Sequence, residues 1–320
     1  MKNKKLISIV VPVYNEQESI SPLYSEVSES LKGHEFEIIF VNDGSSDQSR
    51  EEVLSIMETE NIYLIDLYKN YGKSAALSEG FKYSKGDYII TLDADLQDDP
   101  KEILKLIDAL ETTNYDIISG WKKNRMDPLS KRLPSKLFNF TTRLFTGIKI
   151  HDFNCGLKAY TKKVIKSIEI YGGMHRYIPV IAKQKGFLTS ECEVNHRPRK
   201  FGQTKYGGAR FLHGFFDLIT VLFLGKYLQR PLHFFGFFGL INLIAGLSIN
   251  AYLTIGWFNG YAIGNRPILF LGILLIIIGI QFISLGLLGE LIIKSNSKTE
   301  NRVSSVCSLK NINDEKNNSN

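Results

Sequence analysis

Two long stretches near the C-terminal end of the chain contain no charged residue, and they limit what the chain can fold into. Residues 232–265 and 268–289 lack Asp, Glu, Lys and Arg. Each is longer than the roughly 20 apolar residues that a helix needs to cross a bilayer. A buried core helix is the alternative, but two adjacent stretches of this length favour two transmembrane helices, at about 232–257 and 268–290. The mean hydropathy of -0.07 conceals them, because it averages a polar part with an apolar part.

Basic residues flank the two stretches on the same side. Lys226 and Arg230 precede the pair, and Lys294 and Lys298 follow it. Because Lys and Arg are retained in cytoplasmic loops, both ends are predicted to lie in the cytoplasm. Glycines in both spans permit close helix packing and, with it, a homo-oligomer. The sequence thus predicts an integral multi-pass protein of the cytoplasmic (inner) membrane.

The remaining chain divides by composition into three further parts. Residues 1–208 are mixed and charged, as expected of a cytoplasmic catalytic domain. Residues 209–230 are apolar but interrupted by charges, which favours an amphipathic helix in the interface over a third span. After the membrane hairpin at 231–293, residues 294–320 are rich in Asn, Ser and Lys and are predicted to form a disordered cytoplasmic tail.

The N-terminus superficially resembles a signal peptide. Basic residues 1–5 lead into the apolar stretch 6–13, but that stretch is short, lacks a small-residue cleavage site and contains Pro12. A first β-strand is therefore predicted instead. The three cysteines show no C-x-x-C spacing, which indicates neither a disulfide framework nor a zinc site.

The net charge of +6 is concentrated near the membrane segments. This distribution favours contact with anionic lipid headgroups. Nucleic-acid binding is the competing explanation, but no nucleic-acid motif accompanies the charge, so no nucleic-acid partner is expected.

Strand-like and helix-like stretches alternate through the first 92 residues. The strand-like stretches are 6–13, 36–41, 62–67 and 88–92, and the helix-like ones are 16–32, 46–59 and 73–84. This rhythm predicts an α/β fold with a mostly parallel sheet and helices on both faces. Ligands of such sheets bind beyond the carboxyl ends of the strands, so the residues that follow each strand are the candidates for function.

An acidic stretch, 91–100, directly follows the fourth strand-like segment. Asp93 and Asp95 are two residues apart, so both can face the same side of the chain. Clustered carboxylates suit a hard cation such as Mg²⁺ or Mn²⁺, which also takes phosphate oxygens. The alternative is a loop of solvated carboxylates that caps a helix starting near Pro100.

Two other strand ends carry polar motifs. Gly72 and Lys73 lie at a predicted helix start, where backbone N–H groups and an ammonium would meet phosphate, although a simple turn is equally compatible. Asp43 opens a turn and could accept hydrogen bonds from a nucleobase or ribose, or merely form the turn and its cap. No G-x-G-x-x-G follows the first strand and no G-x-x-x-x-G-K-[ST] occurs, so neither a dinucleotide enzyme nor a P-loop NTPase is supported.

Taken in order, these motifs resemble those of glycosyltransferase family 2, specifically the polyprenyl-phosphate sugar transferases similar to dolichyl-phosphate mannose synthase. The motifs are Pro12-x-Tyr14-Asn15-Glu16, Asp43-Gly44-Ser45-x-Asp47, Asn70-x-Gly72-Lys73 and Asp93-Ala94-Asp95-Leu96-Gln97-Asp98-x-Pro100. The resemblance covers roughly residues 5–293. It implies a GT-A fold, a nucleotide-sugar donor and a lipid-phosphate acceptor. One departure is Asn42, where the family pattern often carries a second Asp.

The resemblance also implies roles for individual residues at the donor. Pro12, Tyr14, Glu16 and Asp43 would line the nucleoside pocket, Gly72, Lys73 and Asp93 would bind the donor, and Asp93, Asp95 and Gln97 would bind Mg²⁺ or Mn²⁺. Asp95 would lie nearest the diphosphate. A cation there stabilises the negative charge that develops as the sugar–phosphate bond breaks.

Basic residues are expected at the acceptor. In the family, residues such as Lys122, Arg125, Lys131 and Arg132 face the acceptor phosphate; a solvated basic surface attracted to the membrane is the alternative. A lipid phosphate has its second pKa near ~6, so it is largely dianionic at neutral pH and needs no strong general base. The site must mainly bring two anions together.

Two more predictions concern the acceptor end. Asp152 would orient the nucleophile, unless it only fixes a turn. Arg199, Lys200 and Lys205 lie in the most basic loop and would close over the donor diphosphate and the lipid phosphate as a lid. Electrostatic attachment to anionic headgroups is the simpler alternative, and both are compatible.

The resemblance thus implies inverting, metal-dependent transfer of one sugar from a nucleoside diphosphate to a polyprenyl phosphate, undecaprenyl or dolichyl, at the cytoplasmic face. UDP-glucose is the preferred donor and GDP-mannose is also compatible. A processive polysaccharide synthase is disfavoured because two spans do not readily form a secretion channel and no Q-x-x-R-W motif is found. A membrane scaffold with a degenerate nucleotide domain is the non-catalytic alternative.

Overall fold

The structure is a computed structural model, and it describes residues 5–57, 60–123, 129–198, 217, 220–221, 231–260, 267–295 and 303–308. The strands are β1 Ile7–Val13, β2 Phe36–Asn42, β3 Ile62–Leu67, β4 Tyr88–Thr91, β5 Ile117–Trp121, β6 Lys158–Thr161, β7 Thr189–Glu193 and β8 Val303–Ser308. The helices are α1 Ile20–Ser30, α2 Ser49–Ser55, α3 Lys73–Tyr83, α4 Ile103–Thr112, α5 Leu129–Thr146, α6 Lys162–Ser167, α7 Ile178–Gln184, α8 Pro231–Phe258 and α9 Pro267–Ser295.

The eight described strands form one sheet in the order β7-β5-β6-β4-β1-β2-β3-β8. β1 lies between β2 and β4 and is parallel to both, and β3 is parallel to β2. The carboxyl ends of these four strands therefore meet at the same edge of the sheet. The predicted mostly parallel sheet is confirmed.

The central strands are mostly apolar and are buried on both faces of the sheet, and the polar residues Ser8 and Glu37 within them are buried as well. On one face, Ile9 and Val11 of β1 pack in a core with residues of α1 and α4. On the other face, α3 lies so close to β1 that a Cβ on Gly80 would be 2.3 Å from a methyl group of Val10. This close approach fixes α3, and with it the loop that precedes α3, against the sheet.

Antiparallel β6 separates β4 from β5 and was not predicted. The segment that leads into it, 150–157, is held beside the carboxyl end of β4, where the Thr91 hydroxyl donates to the Gly156 carbonyl at 2.7 Å. Strand β6 thus carries the 150–157 segment to the same edge as the acidic stretch.

The C-terminal tail departs from the predicted disorder at residues 303–308. These residues form β8, which is antiparallel to β3 and places Val306 opposite Ile65. Without β8 the edge of β3 would present unpaired backbone groups, and pairing satisfies them. Composition did not reveal this strand because a six-residue pairing segment carries little signal in a polar tail.

The chain divides into two compact units, Met1–Val221 with Asn301–Asn320, and Leu222–Glu300. The second unit contains α8 and α9, two helices long and apolar enough to cross a membrane. The glycines of the two helices face each other: a Cβ on Gly246 would lie 2.6 Å from the Gly272 carbonyl oxygen. Such close backbone contact is typical of small residues between membrane helices. The predicted interfacial helix at 209–230 lies outside the described residues except for 217, 220 and 221, and the predicted domain boundaries stay predictions.

Candidate active site

The loops after β1 and β2 are joined by hydrogen bonds between polar residues of the first two motifs. The Asn15 N–H donates to the Ser45 hydroxyl at 3.0 Å, and the Ser46 N–H donates to Asn15 Oδ1 at 2.8 Å. The Glu16 N–H donates to the Ser49 hydroxyl at 2.9 Å. These bonds hold residues 15–19 outside a helix, which explains why α1 begins at Ile20 and not at Glu16 as predicted.

Of the residues predicted to line a nucleoside pocket, Tyr14 is exposed, whereas Pro12 and Glu16 are half-buried. All three follow or end β1 at the carboxyl edge of the sheet. Their contact with a nucleoside stays a prediction.

Asp43 joins the end of β2 to the loop before α3. Its two carboxylate oxygens accept hydrogen bonds from the N–H groups of Tyr71, at 2.7 Å, and Gly72, at 2.9 Å. Burial raises the pKa of Asp43, and these two backbone donors act against that increase. Asp43 is only 4% exposed, so in this structure it positions the loop.

The family pattern often has Asp at position 42, and the presence of Asn there is accounted for by the neighbouring residue on β3. Asn42 Nδ2 donates to Asp66 Oδ1 at 2.8 Å, and the other Asp66 oxygen accepts from Arg50 at 2.9 Å. A carboxylate at position 42 would lie against that of Asp66, and the two negative charges would repel each other. The amide removes this repulsion and also accepts from the Ser45 N–H at 3.0 Å.

An open cleft of about 570 Å³ lies beside these residues at the carboxyl ends of β2 and β3. It is lined by Asn42, Gly44, Ser45, Arg50, Asp66, Leu67, Tyr68, Lys69 and Asn70. Gly44 has a φ of 66°, and a Cβ there would lie 2.5 Å from the Lys69 carbonyl carbon, so only glycine fits this turn without strain. The lining is polar, as suits a hydrogen-bonding ligand.

Lys73 and Asp93 are brought together although their motifs are 20 residues apart. Lys73 is the first residue of α3, and its ammonium contacts Asp93 Oδ1 beyond the end of β4. Burial would raise the pKa of Asp93, but the positive charges of Lys73, Lys122 and Lys158 hold it below its usual value. The Asp93 carboxylate also packs on Gly156, where a Cβ would lie only 2.5 Å from Asp93 Cγ.

The predicted metal ligands Asp93, Asp95 and Gln97 lie in the one loop after β4. The Gln97 N–H donates to Asp95 Oδ1 at 3.2 Å, and both residues are half-buried. Their donor atoms are carboxylate and amide oxygens, which fit Mg²⁺ or Mn²⁺. Within the described ranges, no group of three His, Cys, Asp or Glu residues is arranged to hold a metal. Three side chains fill only part of the octahedral shell of Mg²⁺, so a cation here would also take other oxygen ligands, such as those of a diphosphate.

The Lys122 side chain is buried and contacts the acidic loop. Its Nζ lies 2.7 Å from Asp98 Oδ1, and the two side chains are 10% and 1% exposed. Burial would lower the pKa of Lys122, but attraction to Asp98 outweighs it and raises the pKa above its usual value. The predicted contact of Lys122 with an acceptor phosphate stays a prediction, since this structure pairs it with Asp98.

Asp152 is 2% exposed, and its Oδ1 accepts from the Asn154 N–H at 3.0 Å. This bond between a side chain and the backbone two residues on is the turn-fixing contact that the sequence left open as an alternative. Orientation of a nucleophile by Asp152 stays a prediction.

Arg197 is a site residue that sequence reasoning missed. Its guanidinium contacts Glu26 of α1 and lies 2.7 Å from Asp99 Oδ1, and its backbone N–H donates to the Gln97 carbonyl at 2.9 Å. Arg197 therefore links the segment that follows β7 to the acidic loop. The sequence showed that this segment is basic, but the partner of each basic residue depends on how β7 packs beside β5.

The other predicted basic residues lie beyond what the structure describes. Arg125, Arg199, Lys200 and Lys205 are outside the described ranges. Lys131 and Arg132 fall within α5, but their side chains are not described. Their predicted roles at the acceptor stay predictions.

The sequence matches known families and proteins over most of its length. Residues 8–169 match the model of the family described as Glycosyl transferase family 2. The dodecaprenyl-phosphate galacturonate synthase of Rhizobium johnstonii is 36% identical over 297 residues, which cover 90% of this chain and 88% of that protein. The undecaprenyl-phosphate 4-deoxy-4-formamido-L-arabinose transferase of Pseudomonas fluorescens is 35% identical over 292 residues, covering 89% and 84%.

Solved structures support the fold. Glucosyl-3-phosphoglycerate synthase from Mycobacterium tuberculosis, in complex with Mn²⁺, UDP-glucose and phosphoglyceric acid, matches with a TM-score of 0.55 and 17% identity. The match covers 70% of this chain and 80% of that one. The family model spans the β1–β4 strand ends and the acidic loop, and the relatives extend the match to about nine-tenths of the chain, so this protein belongs to glycosyltransferase family 2.

Proposed function

We propose that the protein transfers one sugar, with inversion, from a nucleoside diphosphate to a polyprenyl phosphate at the cytoplasmic membrane face, with the help of Mg²⁺ or Mn²⁺. The observation that supports the proposal most directly is the contact between the Lys73 ammonium and the Asp93 carboxylate at the carboxyl edge of the sheet. This contact brings an ammonium group, which suits a phosphate, beside the acidic loop. The acceptor class rests on the relatives, which are named for sugar transfer to dodecaprenyl and undecaprenyl phosphate.

The donor would bind across the ends of β1, β2 and β4. The cleft at β2 and β3 offers polar groups to a nucleoside, and Asp43 holds the Tyr71–Gly72 loop that leads to Lys73. Asp93, Asp95 and Gln97 would hold the cation, which when bound offsets the negative charge that develops on the leaving diphosphate. Lys73 would add a second positive charge to the same group.

The acceptor would need positioning more than activation. A phosphate monoester is mostly dianionic at neutral pH, so its oxygen can attack the sugar carbon without losing a proton to the protein. Basic residues of the acceptor end, including Arg125, Arg132, Arg199 and Lys205, would offset the repulsion between two anions. A single in-line displacement inverts the configuration at the sugar carbon. The membrane helices α8 and α9 would keep the domain beside its lipid substrate.

The identity of the donor sugar is the most specific part of the proposal. UDP-glucose is the first donor to test and GDP-mannose the second, as the motif resemblance suggests. The relatives are named for galacturonate and 4-deoxy-4-formamido-L-arabinose, so uridine diphosphate derivatives of both sugars complete the panel.

The test incubates the full chain, purified in detergent, with undecaprenyl phosphate, Mn²⁺ and each labelled nucleotide sugar. The expected product is lipid-soluble and acid-labile, carries one sugar per lipid, and has the anomeric configuration opposite to that of the donor. Label that enters only a long polymer, or no transfer from any donor in the panel, would contradict the proposal.

A further inference from the structure

Most carboxylates of the acidic loop are already paired with cations of the protein. Asp93 contacts Lys73, Asp98 lies 2.7 Å from Lys122, and Asp99 lies 2.7 Å from Arg197. The three partners come from three places in the chain: the start of α3, the residue after β5 and the loop after β7. The negative charge of the loop is therefore largely offset within the protein.

The surroundings of Asp93 are positive beyond this contact. Lys158 is 4% exposed, its ammonium donates to the Cys155 carbonyl, and its charge, like that of Lys122, acts on Asp93. A divalent cation that approached Asp93 alone would meet the charge of Lys73 at contact distance and that of Lys122 beyond it, whereas burial lowers the pKa of Lys158. Like charges at such distances repel strongly where water is partly excluded.

We propose that Lys73 occupies the Asp93 carboxylate only while the donor is absent, and that it exchanges this position for a divalent cation when a nucleoside diphosphate arrives. The metal and the nucleotide then bind as a coupled pair, and the metal alone binds weakly. This inference rests on the proposed function, because it concerns the same donor site.

The geometry permits this exchange. The Lys73 and Asp93 side chains are 23% and 31% exposed, so both can be reached from solvent. Lys73 lies at the N-terminus of α3, and its flexible stem allows the ammonium to move from Asp93 to a diphosphate bound beside it. The diphosphate supplies the negative charge that compensates the incoming cation. Because linkage is reciprocal, the metal must strengthen nucleotide binding by the same factor as the nucleotide strengthens metal binding.

The test measures Mn²⁺ binding to the full chain in detergent by the electron paramagnetic resonance signal of free Mn²⁺, alone and with UDP or GDP. For the wild type we expect weak binding of Mn²⁺ alone and binding at least about tenfold tighter with one of the two nucleotides, within the usual range of such coupling. In Lys73→Met, Mn²⁺ alone should bind about tenfold more tightly than in the wild type, and the coupling should shrink.

Two matched variants control the experiment. Lys82→Met removes a lysine of the same helix whose ammonium pairs with Glu79 at 2.9 Å, and it should leave Mn²⁺ binding unchanged. Lys73→Arg keeps a cation at the site and should retain the weak binding of Mn²⁺ alone. Circular dichroism confirms that each variant is folded.

The outcomes separate the inference from the proposed function. Tighter Mn²⁺ binding with a nucleotide in both the wild type and Lys73→Met, with equal affinity for Mn²⁺ alone, overturns the exchange and leaves the proposed donor site standing. If neither nucleotide changes Mn²⁺ binding in the wild type, both are overturned.

Discussion

Lys122 and Asp98 form a buried ion pair, with Nζ 2.7 Å from Oδ1, between the end of β5 and the acidic loop that follows β4. The pair links the acidic loop, where we propose that the donor binds, with a strand end that we propose faces the acceptor. Because both side chains are nearly inaccessible to water, neither charge has a substitute partner in solvent.

Removing one member of this pair should therefore cost more than removing both. Asp98→Asn or Lys122→Met is expected to lower the free energy of unfolding by about 3 to 5 kcal/mol, because each leaves a buried charge without its partner. The double variant leaves no unpaired buried charge and should be less destabilised than either single variant. Thermal unfolding of the wild type, the two single variants and the double variant in detergent gives the coupling energy. If the two single losses of stability simply add up in the double variant, Lys122 and Asp98 do not stabilise each other.

Asp95→Asn should abolish transfer while the fold survives. The amide keeps the size of the side chain but lacks the charge that a divalent cation requires, so a loss of about 100-fold or more in kcat/KM is expected. EDTA should act similarly, and added Mn²⁺ should restore only the wild type. Asp108→Asn, on the exposed side of α4, is the control. Full activity of Asp95→Asn together with resistance to EDTA would refute the metal role.

Gly156→Ala should reduce activity by displacing Asp93. The added Cβ would lie 2.5 Å from Asp93 Cγ and Oδ2, a distance that real contacts do not tolerate. The expected loss of stability is about 1 to 3 kcal/mol, as for other overpacked sites. Gly256→Ala, where a Cβ meets nothing within 4 Å, should change neither activity nor stability appreciably. A Gly156→Ala protein with wild-type turnover would show that Asp93 does not need its present position.

Asp99 should make stability depend on pH in the acid range. Burial would raise its pKa, but the Lys101 N–H, Asn195 and Arg197 together hold it below the usual 3.8. Because the folded pKa is the lower one, the stabilisation is complete above about pH 5 and is lost as the pH falls through the folded value.

Replacing Asp99 by Asn removes that contribution. At pH 7 the variant should be less stable than the wild type by about 1 to 3 kcal/mol, and the difference should shrink as the pH falls below 3.8. Melting temperatures of both proteins from pH 3 to pH 7 test this, and a difference that does not vary with pH would contradict it.

Gly246→Leu should loosen the pair of apolar helices. Its Cβ would lie 2.6 Å from the Gly272 carbonyl oxygen and 2.8 Å from an Ile276 side-chain carbon, so the helices must separate. Loss of close backbone packing is expected to cost about 1 to 3 kcal/mol in detergent. Gly256→Leu introduces the same side chain at an open position and should be tolerated. Equal melting temperatures of the two variants would count against the packing described here.

The hydrophobic pattern of the sequence predicted the fold class well, because strands and apolar helices are each encoded by neighbouring residues. All ends of the first four strands were predicted within one residue, since buried parallel strands are nearly continuous apolar segments. The two apolar helices were likewise predicted from length and absence of charge, and the structure contains both. The antiparallel strands β6 and β8 were missed, because their pairing depends on partners that are distant in sequence: β6 pairs with β4 and β5, and β8 pairs with β3.

At the candidate site, the motifs predicted which strand ends carry polar residues but not what each residue contacts. Spacing placed Asp43, Lys73 and Asp93 at strand ends, and the convergence of parallel strands makes them neighbours. It could not show that Asp43 accepts from Tyr71 and Gly72.

The sequence by itself determined that this protein has a parallel-sheet domain with an acidic loop at its carboxyl edge, followed by two apolar helices. Only the tertiary structure decided how the charges pair: Lys73 with Asp93, Lys122 with Asp98 and Arg197 with Asp99. The reason is physical. Apolar periodicity is set by neighbours along the chain, whereas the partner of a charge is set by which distant segments the folded core brings within a few ångströms.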